Sequence, residues 1–130
     1  MNILQPPSWA KPRGYSNGVA ARGRLVCVAG QIGWDAQQRF QTGDFLGQCR
    51  QALSNVVAVL AEAGAAPEHI VRMTWYVVDR AEYLNAGRAL GDCYREIIGR
   101  HYPAMTAVEV TALMEAAARV EIEVTAVIPD

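Results

Sequence analysis

The segment ARVEIEVTAV, residues 118–127, alternates apolar and polar side chains and decides the class of fold. Strict alternation indicates a β-strand whose two faces meet different surroundings. Glu121 and Glu123 fall on one face, and Val120 and Ile122 fall on the other. A general acid–base pair is one use of such carboxylates, whereas most strand carboxylates are simply solvated or paired with a cation.

The segments that precede this strand predict two helices and two further strands. FLGQCRQALSNVVAVLAEAG (45–64) and RAEYLNAGRALGDCYREIIGR (80–100) carry apolar residues at helical spacing. HIVRMTWYVV (69–78) and MTAVEVTAL (105–113) are typical of strands. For the first helix, Asp44 is an expected N-terminal cap and Gly64 an expected end.

Nearer the N-terminus, GVAARGRLVCVAGQIG (18–33) predicts two strands joined by a tight turn at Arg22–Gly23. The second of these, Arg24 to Ala29, is nearly all apolar, so both of its faces are expected to be covered. The whole order is β-β-α-β-α-β-β. It predicts one α+β domain, 1–130, with two helices on one face of a mixed sheet.

The other face of the sheet is expected to be too apolar to face water, and identical copies of the chain are the simplest cover for it. The residues expected there are Thr74, Tyr76, Val108, Val110, Val120 and Ile122. The pattern therefore predicts an oligomer.

Composition excludes several classes of function. The 12 basic and 13 acidic residues leave no basic patch for nucleic acid or a membrane surface. No apolar run approaches the roughly 20 residues that span a bilayer, and no signal peptide is visible, so a cytoplasmic location is expected. Cys27, Cys49 and Cys93 are far apart and outside any CxxC pair, and are expected to be buried. We expect no disulfide, no metal and no cofactor.

Three further positions are candidates for a binding site. Gly30 allows backbone N–H groups to approach a ligand closely. Trp34 lies on the glycine-bearing loop 30–44, where it is either a platform for a flat ligand or a packing residue at a subunit contact. His101, just before Tyr102, either lines a site or is structural.

Four segments together resemble the RidA/YjgF family, also called the reactive intermediate deaminase or L-PSP endoribonuclease family. They are RGYSNGVAARGRLVCVAGQIGWD (13–35), HIVRMTWYVVD (69–79), YPAMTAVEV (102–110) and RVEIEVTAV (119–127). The resemblance implies a chorismate-mutase-like fold in which three copies form a central barrel, with ligand clefts between subunits. Its characterised members hydrolyse enamines and imines to keto acids and ammonia, without a metal or a cofactor.

The resemblance also assigns roles residue by residue. In those members the strand after the second helix begins Pro-Ala-Arg, and the arginine binds the substrate carboxylate. Here that position is Met105, which carries no charge. Glu121 matches the glutamate that holds or activates water, and Tyr15 and Gly30 match ligand-facing positions. Ala107 stands where a cysteine is common.

The second helix departs from the family pattern at Gly91, where an asparagine is frequent in the family.

The first hypothesis is a hydrolytic deaminase of a small enamine, imine or amine, with Glu121 as the catalytic residue. In it Tyr15, Trp34 and Met105 shape an apolar pocket, and backbone N–H groups near Gly30 and Ala107 stabilise charge. The alternative is a non-catalytic trimer that binds a small ligand, and a ribonuclease ranks third because no basic groove is visible.

Overall fold

The computed structural model describes all 130 residues as six strands and two long helices. The strands are β1 Asn2–Leu4, β2 Gly18–Ala20, β3 Arg24–Ile32, β4 Ile70–Val77, β5 Ala104–Glu109 and β6 Val120–Ile128, and the helices are α1 Phe45–Glu62 and α2 Arg80–Ile97. A short 3₁₀ turn, Pro67–His69, precedes β4. Strand β1 was not among the elements predicted from the sequence.

The main sheet has the strand order β3-β6-β4-β5. Strand β6 is antiparallel to both of its neighbours, while β4 and β5 run parallel and are connected through α2. Parallel neighbours require such a crossover, and a helix is its usual form. The predicted mixed sheet with two helices on one face is therefore confirmed.

The predicted hairpin between β2 and β3 is wrong. Strand β2 pairs instead with β1 in a separate two-stranded sheet, and β3 runs along β6. The turn at Gly23 explains the difference, because its backbone has φ 144° and lies against the end of β6, where an added Cβ would come within 2.0 Å of the Ile128 carbonyl oxygen. The chain therefore leaves this turn along β6 and not back along β2.

The core lies between the helices and one face of the sheet. Met73, Trp75 and Val77 of β4 are buried there beside residues of β6. Val120 and Ile122 were predicted on the opposite face, and this prediction is wrong: both are fully buried under the helices. The register pairs Ile122 with Trp75 and Val120 with Val77, and paired residues share a face.

The face without helices, called here the open face, is mixed in character and not apolar. It carries Arg72, Tyr76, Glu121 and Glu123 beside exposed apolar groups such as Leu25. The Tyr76 hydroxyl donates to Glu123 at 2.6 Å, and this bond raises the pKa of Tyr76.

The cysteines divide between the core and the open face. Cys49 and Cys93 are buried, and burial raises the pKa of both thiols. Cys27 was expected to be buried as well but is exposed in the single chain, because its pairing with Thr125 turns it to the open face.

The ends of the helices follow the sequence signals. Asp44 accepts a hydrogen bond from the Gly47 amide at 2.8 Å, and Gly64 follows α1 with φ +73°, as predicted. Asp79 caps α2 in the same way. Leu84 of α2 fits the helical spacing of apolar residues in the sequence but is 63% exposed. Neither helix is long and apolar enough to cross a membrane.

Gln48 connects α1 to the segment that leads into β6, which carries Glu121. Its side chain is fully buried, donates to the carbonyls of Thr42 at 3.2 Å and Ala117 at 2.9 Å, and accepts from the Arg119 amide at 2.7 Å. A buried residue whose two donors and carbonyl oxygen all bond to backbone groups holds those groups in place.

We expect Gln48→Met to lower the free energy of unfolding by about 1–3 kcal/mol, because it leaves buried backbone groups without partners. The matched control is Gln37→Met at an exposed loop position, where a change within about 0.5 kcal/mol is expected. Denaturant unfolding at one fixed protein concentration measures both. Equal effects of the two substitutions would contradict the role given to Gln48.

Candidate binding cavity between α2 and strands β4 and β5

The face of α2 that packs on the sheet has a gap in its side chains. Tyr83, Gly87, Gly91 and Tyr94 follow one another at spacings of four, four and three, so they lie along one stripe of the helix. The two glycines leave the middle of the stripe empty between two tyrosines. Gly87 also interrupts the helix, since its φ of 48° and ψ of −124° are not helical.

A cavity of about 280 Å³ lies at this gap. Trp75 of β4 and Met105 of β5 line it from the sheet, and Tyr83, Leu90 and Tyr94 line it from α2. It opens at the surface beside the exposed residues Gly87 and Arg95, and its inner walls are aromatic side chains and one thioether. Such apolar walls with a few polar groups are typical of small-molecule sites.

Trp75 supplies an unusual polar group to this wall. The residue is 2% exposed, and its indole Nε1 has no hydrogen-bond acceptor. Its ring meets that of Tyr83 edge to face, with centroids 6.1 Å apart. Buried side-chain donors without a partner are rare in folded proteins, and this one belongs to a cavity wall.

Two arginines, Arg13 and Arg95, line the mouth of the cavity. Arg95 lies back over Gly91, where an added Cβ would stand 3.4 Å from its Nη1 atom. The pKa of Arg95 is raised, first by the neighbouring Tyr102 side chain and then by Asp92, with which Arg95 forms an ion pair. No carboxylate lines the cavity.

Tyr102 belongs to a pair of stacked rings that closes one side of the cavity. The rings of Tyr94 and Tyr102 are nearly parallel, at 13°, with centroids 5.7 Å apart. The Tyr94 hydroxyl donates to the His101 carbonyl at 2.6 Å, and burial raises the pKa of Tyr94. These contacts fix two aromatic walls relative to the end of α2.

Of the residues predicted from the sequence, Met105 lies in the cavity wall, and its pairing with Met73 turns it to the helix side of the sheet. Tyr15 lines a neighbouring groove of about 580 Å³, which Met105 also borders. Ala107 pairs with Trp75 and therefore shares the face of Met105, but it is exposed and does not line the cavity.

Glu121 and Gly30 are adjacent to each other and lie away from the cavity. A Cβ added at Gly30 would lie 2.2 Å from Glu121 Oε2, so the carboxylate rests on the bare glycine backbone. Glu121 pairs with Tyr76 and therefore faces the open side of the sheet. Within one chain, Met105 and Glu121 are on opposite faces and share no cavity.

Arg119, the cation nearest to Glu121 in sequence, is engaged elsewhere. Its guanidinium binds Glu82 of α2 in a bidentate arrangement, Nε at 2.9 Å and Nη2 at 2.8 Å. Because that ion pair lies on the helix side of the sheet, Arg119 does not neutralise Glu121 in the chain.

Trp34 and His101 have contacts of their own outside the cavity. The Trp34 ring packs on Phe40 with centroids 6.0 Å apart. The side-chain amide of Asn55 donates a hydrogen bond to the backbone carbonyl oxygen of Trp34 at 2.8 Å. The His101 Nε2 atom lies 2.7 Å from the Ile70 carbonyl oxygen, which fastens the end of α2 to the start of β4. A role for either residue in binding stays a prediction.

Of the residues that line the cavity, sequence reasoning proposed only Met105 for a site and named Gly91 only as a departure from the family pattern. It missed the aromatic walls and both arginines, which are Trp75, Tyr83, Tyr94, Tyr102, Arg13 and Arg95. The available signal was the spacing Tyr-x₃-Gly-x₃-Gly-x₂-Tyr along α2, in which glycines replace bulky residues on a packed stripe. A glycine inside a helix costs about 0.5–1 kcal/mol relative to alanine. Two of them on one stripe, Gly87 exposed and Gly91 half-buried, therefore indicate a gap between the flanking tyrosines.

Comparison with known proteins identifies the family. Residues 8–128 match the family model described as Endoribonuclease L-PSP. The chain therefore belongs to this family, in which the Rid and RutC proteins are also found.

Individual relatives agree with this assignment. A Rid-family protein of unknown function from Yersinia pestis, YyfB, has a crystal structure with a TM-score of 0.84 at 32% identity, covering 98% of both chains. A 2-iminobutanoate/2-iminopropanoate deaminase of Capra hircus is 32% identical over 80% of this chain and 73% of its own length. The structure of Escherichia coli TdcF with bound serine has a TM-score of 0.69 at 29% identity, covering 98% of this chain and 99% of TdcF.

The two glycines of α2 give a test of how the cavity is made. We expect Gly87→Ala to lower the free energy of unfolding by about 1–3 kcal/mol, because its backbone conformation is strained for any residue with a Cβ. The matched substitution Gly91→Ala is expected to be neutral or to stabilise by up to about 1 kcal/mol, since it adds helix propensity at an ordinary contact distance. Denaturant unfolding distinguishes them, and equal values would show that the break at Gly87 is not required.

Proposed function

We propose that this protein is a hydrolytic deaminase that acts without a cofactor on small imines or enamines bearing a flat, unsaturated group. The observation that carries the proposal is the aromatic-walled cavity bordered by Met105, at the strand position where family members bind substrate. The deaminase named in Capra hircus supports the reaction type. The tyrosine and tryptophan walls support a flat substrate.

The proposed reaction needs only water and one carboxylate. Water attacks the imine carbon and forms a C–O bond while one water proton passes to Glu121. The C=N π electrons move to nitrogen, which receives this proton from Glu121 to give a carbinolamine. The carbinolamine hydroxyl then passes its proton to the nitrogen through Glu121 as the C=O bond forms and the C–N bond breaks, which releases ammonia and a ketone or keto acid. A positioned carboxylate of this kind contributes about 10²–10⁴-fold to the rate.

This reaction requires more than one copy of the chain. Because Met105 and Glu121 lie on opposite faces of one sheet, they can meet only across a boundary between copies. We therefore propose a homotrimer with its binding clefts between subunits, as the family resemblance implies. Leu25, 63% exposed on the open face, is one of the groups that a second copy would cover.

A non-catalytic ligand-binding trimer is the second candidate. It is favoured by one observation, that neither a carboxylate nor a histidine lines the cavity of the single chain. The two candidates make different predictions for Glu121. A deaminase needs this carboxylate for turnover, whereas a ligand-binding trimer has no turnover for it to affect.

The catalytic proposal is tested with imines generated in situ by an amino-acid oxidase and trapped by semicarbazide, whose product absorbs in the ultraviolet. We expect the protein to lower trapping of 2-imino-3-phenylpropanoate more than that of 2-iminopropanoate, and Glu121→Gln to reduce the effect by about 100-fold. The matched control is Glu123→Gln on the same strand face, where the amide still accepts from Tyr76. Equal trapping with and without protein would leave the binding protein as the better candidate.

The assembly is tested by light scattering at micromolar concentration. We expect a mass of about three times that of the 14.2 kDa chain. Leu25→Asp is expected to yield smaller species, because it introduces a buried unpaired charge at the proposed contact. Leu84→Asp is the control, since that leucine is also 63% exposed but lies on α2. A monomeric wild-type chain would contradict the trimer.

A further inference from the structure

We infer that Arg95, assisted by Arg13, is the specificity-determining group of the cavity and binds the carboxylate of a flat, unsaturated ligand. This assignment rests on the proposed function for the identity of the site, though not for the chemistry performed there. It adds a binding group for an anion to the apolar pocket expected from Tyr15, Trp34 and Met105. The cation lost from the strand is replaced by cations from the helix and from the N-terminal segment.

The charge of the lining is the first observation. Arg13 and Arg95 are its only charged residues, so an anion entering the cavity meets attraction without repulsion from a lining carboxylate. A guanidinium presents its N–H groups in a planar fork that fits a carboxylate, and such charge-assisted bonds are stronger than neutral ones.

The position of Arg95 is the second observation. The side chain is partly exposed, at 38% of its accessible area, and folds back one turn over Gly91, with Nη1 at 3.4 Å from the place of a Cβ. Asp92 and Tyr102 hold it there. A prepositioned guanidinium loses less conformational entropy on binding than a free surface arginine does.

The aromatic walls are the third observation, and they define the rest of the ligand. The rings of Trp75, Tyr83 and Tyr94 border a space that remains open because Gly87 and Gly91 have no side chains to fill it. Trp75 also has an indole N–H with no acceptor, which an oxygen or nitrogen atom of the ligand would satisfy. A flat ring or conjugated chain with a carboxylate at one end matches both features.

The experiment uses benzoate, which fits this description and cannot be hydrolysed, with benzamide as its uncharged counterpart of the same shape. Isothermal titration calorimetry of the intact protein is expected to give at least about tenfold tighter binding of benzoate. Cyclohexanecarboxylate, which is charged but not flat, is expected to bind more weakly than benzoate. Equal affinities for benzoate and benzamide would overturn the assignment.

Substitutions then identify which arginine binds the carboxylate of benzoate. Arg95→Gln is expected to weaken benzoate binding by about tenfold or more and to leave benzamide unchanged. Asp92→Asn is expected to strengthen benzoate binding, because it removes the carboxylate that competes for Arg95. The control is Arg88→Gln, an exposed arginine of α2 that does not line the cavity. Should Arg95→Gln fail to fold, Arg13→Gln gives the same test, with a smaller loss expected.

A spectroscopic readout separates binding in the cavity from binding elsewhere. The indole N–H resonance of Trp75, identified by its disappearance in Trp75→Phe, is expected to shift on titration with benzoate. Benzoate binding that leaves this resonance unmoved would overturn the site. If benzoate binds as described and no imine is hydrolysed, the deaminase proposal fails and this inference stands. If imines are hydrolysed and Arg95→Gln slows the hydrolysis of none of them, the deaminase proposal stands and this inference fails.

Discussion

The alternation of side chains along β6 is the constraint on which the rest of this structure depends. β6 is an inner strand, hydrogen-bonded to β3 on one side and to β4 on the other. Val120, Ile122 and Val124 lie under the helices, so Glu121 and Glu123 must lie on the open face. Because the side-chain period of a strand is two, any slip by one residue would bury both carboxylates and expose the core. The separation of Glu121 from Met105 within one chain follows directly from this register.

The sequence predicted those parts of the fold that depend on local pattern. The two helices, the cap at Asp44 and the strand that carries Trp75 have strong periodicity or strong end signals. The pairing of β2 was not predictable in the same way, because alternation within a strand does not identify its partner. Alternation likewise divided β6 into two faces without stating which one the helices cover, and for this reason Val120 and Ile122 were placed on the wrong side.

The candidate site was predictable only at the positions that the family resemblance names. Met105 borders an aromatic wall, and its part in binding stays a prediction. The cavity itself exists because Gly87 and Gly91 have no side chains. A search of the sequence for stripes of apolar side chains does not detect such glycines, so it did not predict the cavity. The placement of Arg95 was not predictable either, since an arginine near the end of a helix is usually solvated. Asp92 and Tyr102 hold its side chain over Gly91, one turn earlier, where it lines the cavity.

A cavity defined by two glycines is easy to reshape during evolution. Its walls belong to the sheet and to the ends of the helix, so they do not depend on what occupies the middle of the stripe. Each residue added at position 91 would fill part of the space while the backbone stays helical, whereas position 87 resists replacement because of its φ of 48°. A substitution at position 91 would therefore change the size of the ligand space without a change in the core or in the contacts between strands.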